Sequence, residues 1–120
     1  FEWLENESIV IVQIEHIDAV NNLEDIFSVE GIDAFIIGPY DLSGSMNKPG
    51  KFDDKEFLQA IEKIKITAKA YNICGGIHIV EPSPEDLKSR IDEGYKFIAY
   101  SLDTRMLDVS ARKGLSILNR

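Results

Sequence analysis

Two acidic residues stand at or just beyond the ends of apolar runs, and these are the positions at which the chain could do chemistry. Glu15 closes the run 8–14, and Asp41 follows the run 34–37 and Gly38-Pro39-Tyr40. Short apolar runs of this kind are typical of strands buried on both faces. In parallel α/β proteins, ligands bind at the carboxyl ends of the strands. Two carboxylates at neighbouring strand ends therefore suit a hard divalent cation such as Mg²⁺ or Mn²⁺.

Side chains alternate along a strand, so Gln13 and Glu15 share one face and point to the ligand side of the predicted sheet. Asp41 is expected on the first turn of a loop that continues through the Gly-, Ser- and Pro-rich segment 43–50. Without Cys or a pair of His beside these acids, a zinc site is not expected. A second interpretation stays open: Glu15 caps the next helix and Asp41 only forms a turn.

The elements that must position these acids alternate four times between strand and helix. Strands are predicted at 8–14, 34–37, 75–80 and 97–102, and helices at 17–27, 54–70, 84–93 and 104–118. Apolar residues of the last two helices are expected to face the core; they are Leu87, Ile91, Leu107, Ala111, Leu115 and Leu118. The pattern predicts an α/β fold with a parallel sheet. Half of a (β/α)8 barrel, which usually takes about 250 residues, and an open flavodoxin-like sheet are both compatible with it.

Composition limits the classes of partner and compartment. The chain has 120 residues, and 21 acids against 13 Lys and Arg give a net charge of −8, which argues against a nucleic-acid partner. No apolar run has membrane-spanning length. Cys74 is the single cysteine, so an internal disulfide is excluded and a reducing, cytoplasmic location is expected. We expect this thiol to be inert and buried in the core.

Several short motifs occur in one order along the chain. They are Gln13-Ile14-Glu15, Gly31-Ile32-Asp33, Gly38-Pro39-Tyr40-Asp41-Leu42-Ser43, Gly75-Gly76-Ile77 and Asp103-Thr104 with Leu107. Together they resemble the HpcH/HpaI aldolase/citrate lyase family, and within it the 2,4-dihydroxyhept-2-ene-1,7-dioate and 2-dehydro-3-deoxyglucarate aldolases. The resemblance corresponds to the C-terminal half of the family's (β/α)8 TIM barrel. It implies that residues 1–120 form a single half-barrel domain, a fragment of an aldolase of roughly 250 residues.

The resemblance also implies roles for individual residues. Glu15 and Asp41 match the protein ligands of Mg²⁺ or Mn²⁺. The expected contacts with the 2-oxo acid are made by Gln13, Gly38, Pro39, Tyr40 (through its main chain) and His78. The implied function is a class II aldolase, a carbon–carbon lyase that cleaves 4-hydroxy-2-oxo acids to pyruvate and an aldehyde through a metal-stabilised enolate.

The chain departs from the family in what it lacks. Family members use a His for proton transfer and an Arg for oxyanion stabilisation, and both are expected upstream of Phe1, so no catalytic residue is assigned here. His78 is compatible either with a substrate contact or with a structural histidine that is hydrogen-bonded in the core. The alternative function is a truncated, non-catalytic metal-binding half-barrel that serves in folding or assembly. Unpaired strand edges and the resemblance both predict a homo-oligomer.

Overall fold

A computed structural model describes the backbone of residues 2–118. The helices are α1 (Glu2–Glu7), α2 (Ile17–Asn21), α3 (Leu23–Phe27), α4 (Pro39–Ser45), α5 (Lys55–Ala70), α6 (Pro84–Asp92) and α7 (Asp103–Leu115), followed by a 3₁₀ turn (Ser116–Leu118). The strands are β1 (Ile11–Ile14), β2 (Ala34–Ile37), β3 (Cys74–Ile79) and β4 (Phe97–Tyr100).

The four strands form one parallel sheet in the order β1-β2-β3-β4. This confirms the predicted α/β fold of four parallel strands alternating with helices. A flavodoxin-like sheet reverses its strand order at a switch point. The sheet described here runs in sequence order throughout, as in a barrel.

The core lies between the sheet and the helices on one side of it. From the strands, Ile14, Phe35, Ile37 and Ile77 enter this core, and Ile64 meets them from α5. These strand residues occupy alternate positions, as a strand with one face against helices requires. The other face of the sheet carries Gln13, Glu15 and His78, and it is much less covered.

The inward orientation predicted for the last two helices is wrong within the described chain. Leu107 is 71% exposed, Leu115 64% and Ile91 55%, and Leu118 and Ala111 are also exposed. Of the two α6 residues that were expected to face the core, Leu87 is partly buried and Ile91 is exposed. An apolar stripe shows that a helix has a face to bury, but the stripe does not identify the surface that covers it.

Cys74 is also exposed, so the prediction of a buried thiol is wrong. The residue opens β3 and lies on the same face as Gly76 and His78, which the described helices do not cover. The predicted helix 17–27 is interrupted at Asn22, which ends α2 and begins α3. The first strand begins at Ile11 rather than Ser8.

The segment after β2 differs from the predicted loop. Helix α4 begins at Pro39 directly after Gly38, which places Asp41 in the first helical turn. Proline is favoured at this position because the first N–H groups of a helix have no intrahelical partner. None of the described helices has the length and hydrophobicity that a membrane span requires.

Candidate metal and substrate site

The first predicted metal ligand lies beside the end of β2. The register pairs Ile14 with Ile37, so Glu15 and Gly38 follow as the next residues of adjacent strands. A β-carbon on Gly38 would lie 3.2 Å from both the Cβ and the Oε2 of Glu15. Because Gly38 has no side chain, there is room for the Glu15 carboxylate beside it.

Gln13 holds this carboxylate from the same strand. Its Nε2 donates a hydrogen bond of 2.6 Å to Glu15 Oε2. The contact confirms that Gln13 and Glu15 share a face of the sheet, as the alternation predicts. The amide orients the Oε2 oxygen, and no hydrogen bond to the Oε1 oxygen is found among the described residues. Glu15 therefore does not cap the following helix; His16 does, since its Nδ1 accepts from the Asp18 N–H at 3.1 Å.

Asp41 is positioned by the short helix α4. Gly38 is the N-cap residue and accepts from the Leu42 N–H at 2.9 Å. Ser43 is fully buried, and its hydroxyl donates to the Tyr40 carbonyl at 2.9 Å and accepts from the Gly50 N–H at 3.0 Å. The segment that follows Asp41 is thus folded back onto the helix, although its composition predicts an open loop.

Five of the predicted site residues meet at one cavity of about 230 Å³. Its lining consists of Gly38, Pro39, Tyr40, Asp41, His78 and Val80. Gln13 and Glu15 adjoin it through Gly38. The sheet positions His78 on β3 beside Ala99 of β4 and one residue after the Ile37–Ile77 pair. The structure therefore brings residues from β1, β2 and β3 to the same edge of the sheet.

His78 is partly buried, and its ring forms no hydrogen bond or ion pair with any side chain that the structure describes. The interpretation of His78 as a hydrogen-bonded structural histidine is therefore not supported. Its ring is available to a molecule in the cavity.

The donor set fits a magnesium-like ion better than a zinc-like one. Within the described residues, no group of three or more His, Cys, Asp and Glu side chains could hold a metal. A protein that supplies one or two carboxylates and leaves the remaining positions to water and substrate oxygens is typical of Mg²⁺ sites. Glu15, which lies beside Gly38, and Asp41, three residues after it, would be such a pair.

Two arginines near this edge are already paired. Arg105 binds Glu81 (Nη2 to Oε2, 2.8 Å) and Asp108 (Nη1 to Oδ2, 2.6 Å). The hydrogen bonds to Glu81 are the largest cause that raises the Arg105 pKa. The pair joins Glu81, the second residue after β3, to the first turn of α7. Arg90 binds Glu93 at 2.7 Å.

A larger cavity lies elsewhere. Its volume is about 750 Å³, and it lies at the amino ends of β2 and β3, beside Phe35, Cys74 and Tyr95. None of the predicted site residues lines it. We place the candidate site at the smaller cavity because the carboxylates and His78 are there, at the edge where parallel sheets bind ligands.

Sequence reasoning missed three residues that shape the site. Ser43 and Phe52 hold Tyr40 from two sides, and the Ser45 hydroxyl accepts the Ile17 N–H at 2.9 Å, which ties α4 to α2. No periodicity or motif indicates such contacts.

The sequence of this chain is similar to a known family of proteins. A family model described as HpcH/HpaI aldolase/citrate lyase matches residues 4–108. A hydroxypyruvate/pyruvate aldolase of Delftia acidovorans is 37% identical over 107 residues, which cover 88% of this chain and 39% of that protein. A 4-hydroxy-2-oxo-heptane-1,7-dioate aldolase of Escherichia coli is 37% identical over 99 residues, covering 82% of this chain and 37% of that one.

Almost the whole of this chain superposes on part of a solved structure. The crystal structure of an HpcH/HpaI aldolase from Desulfitobacterium hafniense superposes with a TM-score of 0.87 at 25% identity, covering 99% of this chain and 47% of that chain. The described chain thus spans less than half the length of these relatives.

Proposed function

Because the chain belongs to the HpcH/HpaI aldolase/citrate lyase family, we propose that it carries the metal- and oxo-acid-binding part of a pyruvate-type aldolase. The reaction is the cleavage of a 4-hydroxy-2-oxo acid to pyruvate and an aldehyde. One observation carries the proposal: Asp41 and His78 line one cavity, and Glu15 adjoins it across the bare backbone of Gly38. The names of the two aldolase relatives support the substrate class.

Glu15 and Asp41 are the residues that would hold the divalent cation, Mg²⁺ or Mn²⁺. When bound, the ion supplies Lewis-acid stabilisation of the negative charge that develops on the keto oxygen as the carbon–carbon bond breaks. Gln13 orients the Glu15 carboxylate by its 2.6 Å hydrogen bond. Such a contact to a ligand residue fixes its geometry and raises its affinity for the metal.

The oxo acid would lie over Gly38 and Pro39, within reach of Gln13. The first N–H groups of a helix have no partner in that helix, and the Tyr40 main chain in the first turn of α4 is suited to the pyruvate carboxylate. His78 would contact the substrate from β3.

The catalytic groups for proton transfer and oxyanion stabilisation are proposed to come from polypeptide that precedes Phe1. Of the arginines described at this edge, Arg90 and Arg105 are held by Glu93 and Glu81. Residues 1–120 would then be one half-barrel domain of a longer aldolase, a homo-oligomer of the cytoplasm. Because both arginines are already paired with glutamates, neither is free to stabilise an oxyanion. The same two ion pairs therefore favour the second candidate, a metal-binding half-barrel that assembles but has no catalytic turnover.

The metal claim is tested on the chain itself by titration with Mn²⁺, monitored through water-proton relaxation. We expect Glu15→Gln and Asp41→Asn each to weaken Mn²⁺ binding by about 100-fold or more, since each removes a ligand charge. Asp25→Asn, an exposed acid of α3, is the matched control and should bind as the parent does. Equal binding by all four proteins would remove the metal site from the proposal.

Catalysis is tested by the metal-dependent exchange of pyruvate methyl protons for deuterium. The chain joined to its preceding polypeptide should exchange well above a metal-only control, and the chain alone should exchange weakly or not at all. Exchange by the longer protein that does not exceed the metal-only control would contradict the aldolase and favour the assembly module.

A further inference from the structure

A second cavity adjoins the candidate oxo-acid site. Its volume is about 160 Å³, and it shares the walls formed by Pro39, Tyr40, His78 and Val80 with the 230 Å³ cavity. The two cavities are therefore immediate neighbours.

Most of the walls of this second cavity are apolar. Side chains from the segment before α5, from α5 and from β3 contribute to it; they are Phe52, Phe57, Leu58, Ile61, Ile77 and Ile79. An apolar cavity of about 150 Å³ in a protein stays dry and holds one benzene molecule. The volume and lining of this cavity thus fit a single six-membered ring.

Three aromatic rings form a continuous row from the shared wall into the cavity. The ring centroids of Tyr40 and Phe52 are 4.9 Å apart in an edge-to-face arrangement, and those of Phe52 and Phe57 are 5.4 Å apart. Aromatic rings prefer these offset and edge-to-face geometries. Tyr40 is 45% exposed and lines both cavities, so its ring can contact a ligand that passes between them.

Three charged residues line this cavity: Glu81, Asp86 and Arg90. Arg90 is paired with Glu93 at 2.7 Å and Glu81 with Arg105 at 2.8 Å, and Asp86 forms no ion pair with the described residues. An anionic ligand end would therefore meet the Asp86 carboxylate, and it could reach Arg90 only by displacing Glu93. An uncharged apolar end only has to leave water, which is favourable by itself.

We propose that this cavity is the subsite for the far end of the aldehyde, and that it takes a phenyl-sized apolar group. This assignment rests on the proposed function for its link to the aldehyde, but the ring-sized site itself does not. The preferred substrate is then a 4-hydroxy-2-oxo acid whose aldehyde portion carries an aromatic or compact cyclic group.

The ring-sized site is tested first, on the chain alone and without metal. Benzyl alcohol is titrated while ¹³C-methyl NMR signals of isoleucine are recorded, and Ile61, Ile77 and Ile79 should shift together with saturation. Ile61→Phe, which fills the cavity, should weaken binding about tenfold or more. Ile66→Phe, the same change on an exposed residue of α5, should not. An absence of shifts at these methyl groups, or equal binding by Ile61→Phe, overturns the proposal.

The link to the aldehyde is tested in the presence of Mn²⁺. The affinities of 2-oxobutanoate and of 2-oxo-4-phenylbutanoate are compared in the parent and in Ile61→Phe. The phenyl compound should bind about tenfold more tightly or better in the parent, and the gain should vanish in the variant. Equal affinities overturn the link. If neither acid binds, the proposed function fails, and the benzyl alcohol titration still decides the ring-sized site.

Discussion

Replacing Gly76 by alanine should disrupt the centre of the sheet. Gly76 lies on β3 between Ile36 of β2 and Phe97 of β4. A β-carbon there would lie 2.7 Å from the Phe97 carbonyl oxygen, 2.9 Å from the Phe35 carbonyl oxygen and 2.8 Å from Phe97 Cδ1. The two carbonyl oxygens are backbone atoms of neighbouring strands, so they cannot turn away as a side chain can.

The size of the effect follows from those distances. Ordinary contacts begin near 3.4 Å, so the two carbonyl groups must retreat by about 0.5–0.7 Å. Overpacking of this kind costs about 1–3 kcal/mol, sometimes more. Alanine also restricts the unfolded chain, which returns about 0.4–1 kcal/mol. We expect a net loss of about 1–2 kcal/mol, against the roughly 6–18 kcal/mol that a chain of this length has.

The assay is urea unfolding followed by circular dichroism, with two other glycines as a graded series. With a slope of about 1–3 kcal/mol per M, the Gly76→Ala midpoint should fall by about 0.5–1 M. Gly75→Ala should cost less, because its new β-carbon meets only side chains, Phe35 Cζ at 3.0 Å and Tyr95 Cδ1 at 3.6 Å. Gly44→Ala, in α4 with nothing within 4 Å, should gain about 0.5–1 kcal/mol.

Gly76→Ala should be the least stable of the three variants, Gly75→Ala the next and Gly44→Ala the most stable. If Gly75→Ala proves as costly as Gly76→Ala, the backbone contacts are not the cause. If Gly76→Ala does not fold, the double variant with Phe97→Ala decides the cause, because it removes the ring contact but keeps both carbonyl contacts. Full recovery by that double variant would refute the argument.

Two further predictions concern Tyr95 and Gly38. Tyr95 is 6% exposed, and its hydroxyl has no partner among the described residues; burial raises its pKa to about 12. A raised folded-state pKa gives stability that is full below about pH 10 and is lost as the pH rises towards 12. Between about pH 10 and pH 12, the unfolding free energy of Tyr95→Phe should therefore rise above that of the parent by up to about 3 kcal/mol. Parallel pH profiles of the unfolding free energy in the two proteins would contradict this. Gly38→Ala should push the Glu15 carboxylate away from the 2.6 Å bond with Gln13 and weaken Mn²⁺ binding about tenfold. The Mn²⁺ affinity is measured by titration with water-proton relaxation. If Gly38→Ala binds Mn²⁺ as the parent does while Glu15→Gln binds it more weakly, the position of the Glu15 carboxylate is unimportant.

Much of the fold could be predicted because its causes are local. The apolar run 34–37 ends at Gly38-Pro39, and the structure ends β2 and begins α4 there. Ser83 followed by proline predicts a helix start, and the Ser83 hydroxyl indeed accepts from the Asp86 N–H at 3.1 Å. Alternation along β1 likewise places Gln13 and Glu15 on one face.

The contacts of the candidate site depended on residues that are distant in sequence. The ring of Phe52 on Tyr40 and the hydroxyl of Ser43 on the Gly50 N–H are set by how the chain folds back, which no period of the sequence encodes. The same limit explains the exposed leucines of α7.

The sequence by itself determined the strand and helix order and the identity of the two acids, because capping, turn formation and side-chain alternation act over a few residues. Only the tertiary structure decided that Gly38 makes room for Glu15, that the His78 ring makes no hydrogen bond within the described chain, and that an apolar cavity adjoins them. Those outcomes depend on distances between strands and helices that are brought together only by packing.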